Sequence, residues 1–194
     1  MTEALQDTAN LRDQLDAAER DARLLVANLA EERGCWRAEA GSWSVAQCLD
    51  HLAITNHVYL DAMKEPAIRG RETGRLRRRP PLPGFVGRWF AAKMEPPVKA
   101  FPKMKATRNI KPRTSPALSD ALACFLTSQD RIRDYLTTNA DLDLAGIRFP
   151  NPFIPGVRFS LATGLHILTA HERRHIWQAW RARRAAEEAA RGDA

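Results

Sequence analysis

The chain has 194 residues, which is enough for one domain with a substantial hydrophobic core. Its first residues, MTEALQDTANLRDQ, are polar, and no run of 18 apolar residues occurs, so we expect neither a secretion signal nor a membrane span and place the protein in the cytoplasm. The formal charge of +7 is unevenly distributed. Residues 64–113 contain 15 Lys or Arg against three Glu, which leaves the remainder of the chain acidic.

The first predicted helix is amphipathic. Apolar residues recur at alternating intervals of four and three from Leu11 to Leu29, as in the buried stripe of a helix. This pattern predicts a helix from about Thr8 to Glu32, which Gly34 would end.

A second helix has a well-defined start. Ser44 is a favourable N-cap, and Gln47 stands at the third helical position, where it can close a capping box. The helix is predicted to reach about Lys64. Asp50 lies within it and is expected to be a surface carboxylate.

Residues 65–114 have a different character. The stretch RGRETGRLRRRPPLPG combines arginines with prolines, and further prolines follow, so a long regular helix is excluded. Within this segment only residues 85–94 have the pattern of a short amphipathic helix. The sequence predicts an irregular basic crossover.

Two more helices complete the pattern. Ser115 followed by Pro116 predicts the start of a third helix that ends near Thr138. The segment FPNPFIPGVRF is predicted to be a loop, and Ser160 opens a last helix that reaches about Ala189. No convincing strand pattern occurs. The expected fold is all-α, a single four-helix-bundle domain over residues 1–194 with residues 65–114 as the long crossover between the second and third helices.

The three cysteines are odd in number and show no C-x-x-C spacing. Two of them lie among apolar residues of predicted helices. We expect Cys35, Cys48 and Cys124 to be reduced core residues rather than ligands or redox groups.

The stretch TAHERRHIWQAW contains H-E-x-x-H, the signature of zinc proteases. A protease would need a third ligand beyond the second histidine, and the extended form of the motif fails because Gln178 and Arg181 replace its glycine and final histidine. Glu187 and Glu188 continue the same predicted helix and cannot fold back onto the ion. The sequence therefore argues against a peptidase.

A different metal site is available. His171 and His175 are one helical turn apart and continue an apolar stripe, while His51 lies at the edge of the buried stripe of the second helix. At about 100° of rotation per residue, His57 and His166 are predicted to point away from the other three histidines. Three inward imidazoles either are buried side chains satisfied by hydrogen bonds or hold one metal ion, as in bundle-core sites. From the pattern alone the two alternatives are equally good.

Three stretches of the chain resemble one family. They are WSVAQCLDHL from Trp43 to Leu52, the downstream NPFIPG, and HERRHIWQAW with Gln178 after the last histidine. Together they resemble the DinB-like superfamily, whose members are four-helix bundles that usually hold a divalent metal with three histidines. The matching positions here are His51, His171 and His175. The crossover is longer and more arginine-rich than the family pattern.

The resemblance implies zinc, nickel or iron as the metal, and it implies that a homodimer is a common state. Characterised relatives include S-transferases that use low-molecular-weight thiols and a thiol-dependent isomerase. We therefore expect a metal-dependent enzyme on a small molecule, a thiol-dependent transferase first and a metal-assisted hydrolase second. Glu172 is a possible general base. A metal-binding or stress-related protein without turnover is the alternative.

The basic crossover has three interpretations. It could be a solvated cover that offsets an acidic bundle, a surface for nucleic acid, or a lining that attracts an anionic small molecule to the pocket. No stacking aromatic side chain is interleaved with the arginine run of residues 75–79, which makes nucleic acid a less favoured partner than a small molecule.

Overall fold

The computed structural model describes residues 2–97 and 108–192. This part of the chain is mostly helical, with six α-helices, one short 3₁₀ turn and one small sheet, so the all-α prediction is confirmed. The helices are α1 (Thr2–Val26), α2 (Glu31–Cys35), α3 (Val45–Glu72), α4 (Phe85–Ala92), α5 (Leu118–Thr138) and α6 (Leu161–Gly192), the 3₁₀ turn is Arg108–Ile110, and the strands are β1 (Arg148–Pro150) and β2 (Arg158–Ser160).

Four of these helices are long, and they pack around a shared core. α1 and α3 both pack against α5 and α6, so each long helix buries its apolar stripe between two others. The core includes the predicted apolar residues of α1 and α3, of which Leu11, Leu15 and Met63 are almost fully buried. Within the described residues, no helix is both long enough and apolar enough to cross a membrane.

The first helix ends earlier than the sequence predicts. α1 ends at Val26, and Asn28 has a φ of 57°, which is incompatible with a continuous helix. Gly34 does not end that helix but lies within α2. A Cβ atom at Gly34 would collide with the side chain of Leu118, so the glycine permits α2 to contact α5.

α3 begins as predicted and ends later. The Ser44 hydroxyl accepts a hydrogen bond from the Gln47 backbone at 3.2 Å, and the Gln47 side chain accepts one from the Ser44 backbone at 3.2 Å. The helix continues past Lys64 and through Pro66 to Glu72. Because Pro66 and Gly70 are both buried, we attribute this extension to packing, which offsets the backbone hydrogen bond that proline removes.

α5 starts later than predicted, with Ala117 rather than Ser115 at its N-cap. The backbone N–H of Leu118 instead donates to the carboxylate of Glu31 in α2. The cap of this helix therefore comes from a distant part of the chain.

The predicted loop before α6 contains two short strands. β1 and β2 pair antiparallel with Phe149 opposite Phe159, and both aromatic side chains are buried. The two ends of the predicted loop are thus paired strands rather than irregular chain. The hairpin packs these two aromatic side chains into the hydrophobic core. The Ser160 hydroxyl accepts a hydrogen bond from the Thr163 backbone at 3.1 Å and so caps α6.

The cysteine prediction holds for one residue of three. Cys48 is fully buried in α3, whereas Cys35 and Cys124 are exposed, and all three are free thiols. Cys124 lies on α5 one position before Phe125, which takes the buried place.

Candidate metal centre

Two helices bring three histidines together. His51 comes from the middle of α3, and His171 and His175 come from consecutive turns of α6, which packs against α3. The Nε2 atoms of His51 and His171 are 3.3 Å apart, and one ring nitrogen from each of the three lies within 4.8 Å of the others. His51 and His175 are buried, and His171 is half-buried.

Hydrogen bonds outside the cluster fix two of the rings. Nδ1 of His51 is 2.6 Å from the carbonyl oxygen of Ile110, and Nδ1 of His175 is 3.0 Å from Oε1 of Gln178. Since these oxygens only accept, each Nδ1 carries the proton and each Nε2 keeps its lone pair. Such outer partners orient metal-binding histidines and raise their basicity.

The cluster is electrostatically suited to a cation. Burial lowers the pKa of His51 to about 4 and lowers the pKa values of His171 and His175 well below the ordinary value, so all three rings are neutral near pH 7. Nδ1 of His171 is buried and has no hydrogen-bond partner within the described residues. Neutral imidazoles in an apolar interior, one of them with a ring nitrogen that lacks a hydrogen-bond partner among the described residues, are costly unless they share a cation.

The residues present fit a divalent ion. Three nitrogens at the usual metal distance of about 2.0–2.1 Å in a tetrahedral site are separated by roughly 3.3 Å. The His51–His171 separation already has this value. A three-histidine set also leaves a coordination position for another ligand, which is typical of catalytic rather than structural sites.

The two remaining histidines lie elsewhere. His57 is half-buried on α3 and contacts the guanidinium of Arg131 on α5, and burial lowers its pKa. His166 is half-buried on α6. Neither is part of the cluster or lines the pocket next to it, as far as the described residues show.

A pocket of about 170 Å³ opens beside the three histidines. Its walls are mainly apolar, and the helices, the hairpin loop and the crossover all contribute to them. The lining residues other than the three histidines are Trp43, Thr55, Tyr59, Phe90, Met94, Ile110, Asn151, Phe153, Ile154, Ile167, Leu168 and Arg174. A pocket that is apolar with few polar groups is the usual form of a small-molecule site.

The crossover closes one side of this pocket. α4 packs against α6, and Gly87 approaches Thr163 so closely that a Cβ atom would collide with it. Glu95, just beyond α4, forms an ion pair with Arg173 of α6. These contacts hold Phe90 and Met94 over the pocket.

Asp50 corrects a sequence-based expectation. It is buried rather than on the surface, and it accepts hydrogen bonds from the backbone and the guanidinium of Arg113 at 2.7, 2.9 and 2.6 Å. Arg113 lies three residues after Ile110. Asp50 therefore anchors the part of the crossover that reaches His51.

Glu172 is turned toward α3 and α5 rather than toward the pocket. Its Oε1 accepts from the side-chain amides of Asn56 at 2.9 Å and Gln129 at 2.5 Å, and it is fully buried between α3, α5 and α6. Burial raises its pKa to about 7. It is not among the described residues that line the pocket.

The arginine run contacts a different part of the molecule. Arg79 pairs with Asp143 in the connection after α5, and the Arg77 side chain donates to the carbonyl of Ala140 at 3.3 Å. Arg71, in the last turn of α3 before the run, pairs with Asp141. This run is therefore held against an acidic loop. None of its arginines lines the pocket within the described residues.

Sequence reasoning missed the pocket residues that come from outside the helical stripes. The acceptor role of Ile110 uses a backbone carbonyl, which has no sequence signature. Arg174 could have been found, because it lies between the two α6 histidines and only one position from His175. Burial lowers the pKa of Arg174, whereas the acidic partner Asp50 raises the pKa of Arg113.

These features define the class of protein: a helical bundle with a three-histidine group that could hold a metal ion beside an apolar pocket. The model of the DinB superfamily matches residues 14–179, most of the chain. The chain belongs to the DinB superfamily. Neither a comparison with curated proteins nor one with solved structures finds a match.

Proposed function

We propose that this protein is a metal-dependent enzyme that transfers a low-molecular-weight thiol to a small apolar electrophile. The observation that carries the proposal is the position of the histidine cluster, in the wall of a pocket that is otherwise mainly apolar. His51, His171 and His175 would hold zinc, nickel or iron. A divalent ion bound there supplies Lewis acidity, which lowers the pKa of a thiol or of water toward neutrality.

The protein's own residues have three tasks in this reaction. Ile110 and Gln178 keep the lone pairs of His51 and His175 directed into the cluster. The apolar walls, among them Phe90 and Phe153, bind the electrophile and exclude water. The reaction joins the thiol sulfur to an electrophilic carbon while the leaving group departs with its bonding electrons, and the thiol proton passes to water.

Thiol transfer is favoured over hydrolysis by the absence of a carboxylate from the described pocket lining. Metal-assisted hydrolysis commonly uses a carboxylate as general base, as in the H-E-x-x-H proteases. A thiol is acidic enough to ionise without a dedicated base when its pKa is lowered. Glu172, the nearest acidic residue along the helix, contacts Asn56 and Gln129 instead.

The test combines metal analysis with turnover. Purified protein is assayed with an aryl chloride or an epoxide, with and without a panel of low-molecular-weight thiols, and both thioether and hydrolysis products are measured by mass spectrometry. We expect product only with thiol and metal, and its loss in His51→Ala but not in His57→Ala. Product formation without thiol would make the protein a hydrolase, and a metal-loaded protein inert to the whole panel would favour a non-catalytic metal-binding role.

A further inference from the structure

One lining residue has no place in the reaction described above. Arg174 is the one charged side chain among the described residues that line the pocket. It lies three residues after His171 and directly before His175 on α6, so it is part of the same wall. Its side chain is half-buried.

The neighbouring arginine makes a useful contrast. Arg173 pairs with Glu95 and donates to Gln14 at 2.7 Å, so its charge is neutralised within the fold. No ion pair or hydrogen bond joins Arg174 to any of the side chains that the structure describes, which are those of residues 10–97 and 109–191. Residues 98–107, which lie outside those ranges, have the sequence VKAFPKMKAT and contain no aspartate or glutamate to offer.

A half-buried cation without a partner is costly in an apolar cavity. The side chains around it provide no compensation, because the described lining residues include no aspartate or glutamate and the walls are mainly apolar. An anionic ligand would compensate it. The guanidinium presents a planar fork of N–H donors that matches a carboxylate with two parallel hydrogen bonds.

We propose that Arg174 is a specificity-determining residue that binds the carboxylate of a substrate with an apolar body. The carboxylate lies at Arg174, the apolar body fills the pocket between α4 and the hairpin loop, and the reacting carbon faces the histidines. This inference rests on the proposed function only in taking the pocket as the substrate site.

The experiment compares two probes that differ in charge and otherwise closely match. Binding of 4-phenylbutanoate and of 4-phenyl-1-butanol to the full chain is measured by calorimetry, in the metal-loaded form and after treatment with a chelator. We expect the wild type to prefer the carboxylate roughly ten- to a hundredfold in both forms, which is the usual effect of hydrogen bonds to a charged group. Arg174→Gln should bind the two probes within about threefold.

Two further variants separate charge recognition from loss of structure. Arg174→Lys keeps the positive charge and should retain most of the preference, although it loses the bidentate geometry. Arg184→Gln removes an exposed arginine of the same helix that lies outside the pocket lining, and it should behave as the wild type does.

Several outcomes would overturn the inference. Two of them are equal binding of the two probes by the wild type and no saturable binding of either probe. The third is a carboxylate preference that disappears with the chelator but survives in Arg174→Gln, because the ion would then be the group that binds the anion. A carboxylate preference that depends on Arg174 in a protein without thiol transfer would support the inference and contradict the proposed reaction alone.

Discussion

Nδ1 of His51 lies 2.6 Å from the carbonyl oxygen of Ile110, so the end of the basic crossover fixes the orientation of an imidazole in the bundle core. The contact spans 59 residues of sequence. It makes the crossover part of the histidine cluster rather than only a connection between helices. The predictions below concern the cluster, its supporting contacts and the basic segment.

The first prediction concerns metal content. Replacing His51, His171 or His175 by alanine removes a primary ligand, so each change should weaken metal binding strongly. The loss should exceed the roughly 10- to 100-fold effect of removing an outer hydrogen-bond partner of a ligand. His57→Ala and His166→Ala should bind metal as the wild type does. Elemental analysis and competitive chelation measure both. Equal metal in the wild type and the triple substitution would rule out this site.

The second prediction concerns Gln178, which accepts from Nδ1 of His175. Gln178→Leu leaves that N–H without its acceptor and should weaken metal binding about 10- to 100-fold. Gln178→Glu retains an acceptor and should bind metal at least as well as the wild type. If the two variants bind equally, the hydrogen bond does not support the site.

The third prediction concerns Glu172. Glu172→Ala should leave the metal bound, because the carboxylate contacts Asn56 and Gln129 rather than the cluster. It should lower the free energy of unfolding by about 1–3 kcal/mol, since two buried amides lose their acceptor. We also expect no peptide cleavage by the wild type. A reproducible peptidase activity that this variant abolished would restore the zinc-protease interpretation.

The fourth prediction concerns the pH dependence of stability. Hydrogen bonds from Arg23 and Arg133 lower the pKa of Glu19 below the ordinary value of 4.5. A carboxylate whose pKa is lower in the folded state stabilises the fold above its unfolded pKa, and this contribution is lost as the pH falls through the folded value. Glu19→Gln should therefore reduce stability at pH 7 and approach the wild type near pH 3.

The expected difference at pH 7 is below about 1 kcal/mol, because the pair is partly exposed to solvent. Glu65→Gln is the control, since its ion pair with Arg69 is more exposed on both sides. Denaturant unfolding at the two pH values gives the comparison. A Glu19→Gln deficit that grew on acidification would contradict the assigned direction of the pKa shift.

The fifth prediction concerns the arginine run. Replacing Arg75, Arg77, Arg78 and Arg79 together by serine should leave metal content unchanged, since Arg79 pairs with Asp143, Arg77 bonds the carbonyl of Ala140, and none of the four lines the pocket within the described residues. Binding to nucleic acid should be weak in both proteins at two salt concentrations. Tight, salt-sensitive binding that the variant lost would make nucleic acid the primary partner and displace the small-molecule proposal.

Much of the bundle follows from the sequence, because a helix with one apolar stripe must bury that stripe against others. The four long helices and the inward direction of His51, His171 and His175 follow from a 3.6-residue period. The capping box at Ser44 follows from the residue types at the start of the helix. The spacing of residues on one helix sets which side chains share a face. For this reason the spacing of the histidines is enough to propose the ligand set.

Tertiary structure decided what local periodicity does not encode. The burial of Asp50 depends on Arg113, the cap of α5 depends on Glu31, and the short strands depend on pairing across a loop. That no described carboxylate pairs with Arg174 is visible only from the positions of its neighbours in the fold. Each of these results depends on contacts between residues distant in sequence, and such contacts can override the conformation that neighbouring residues favour.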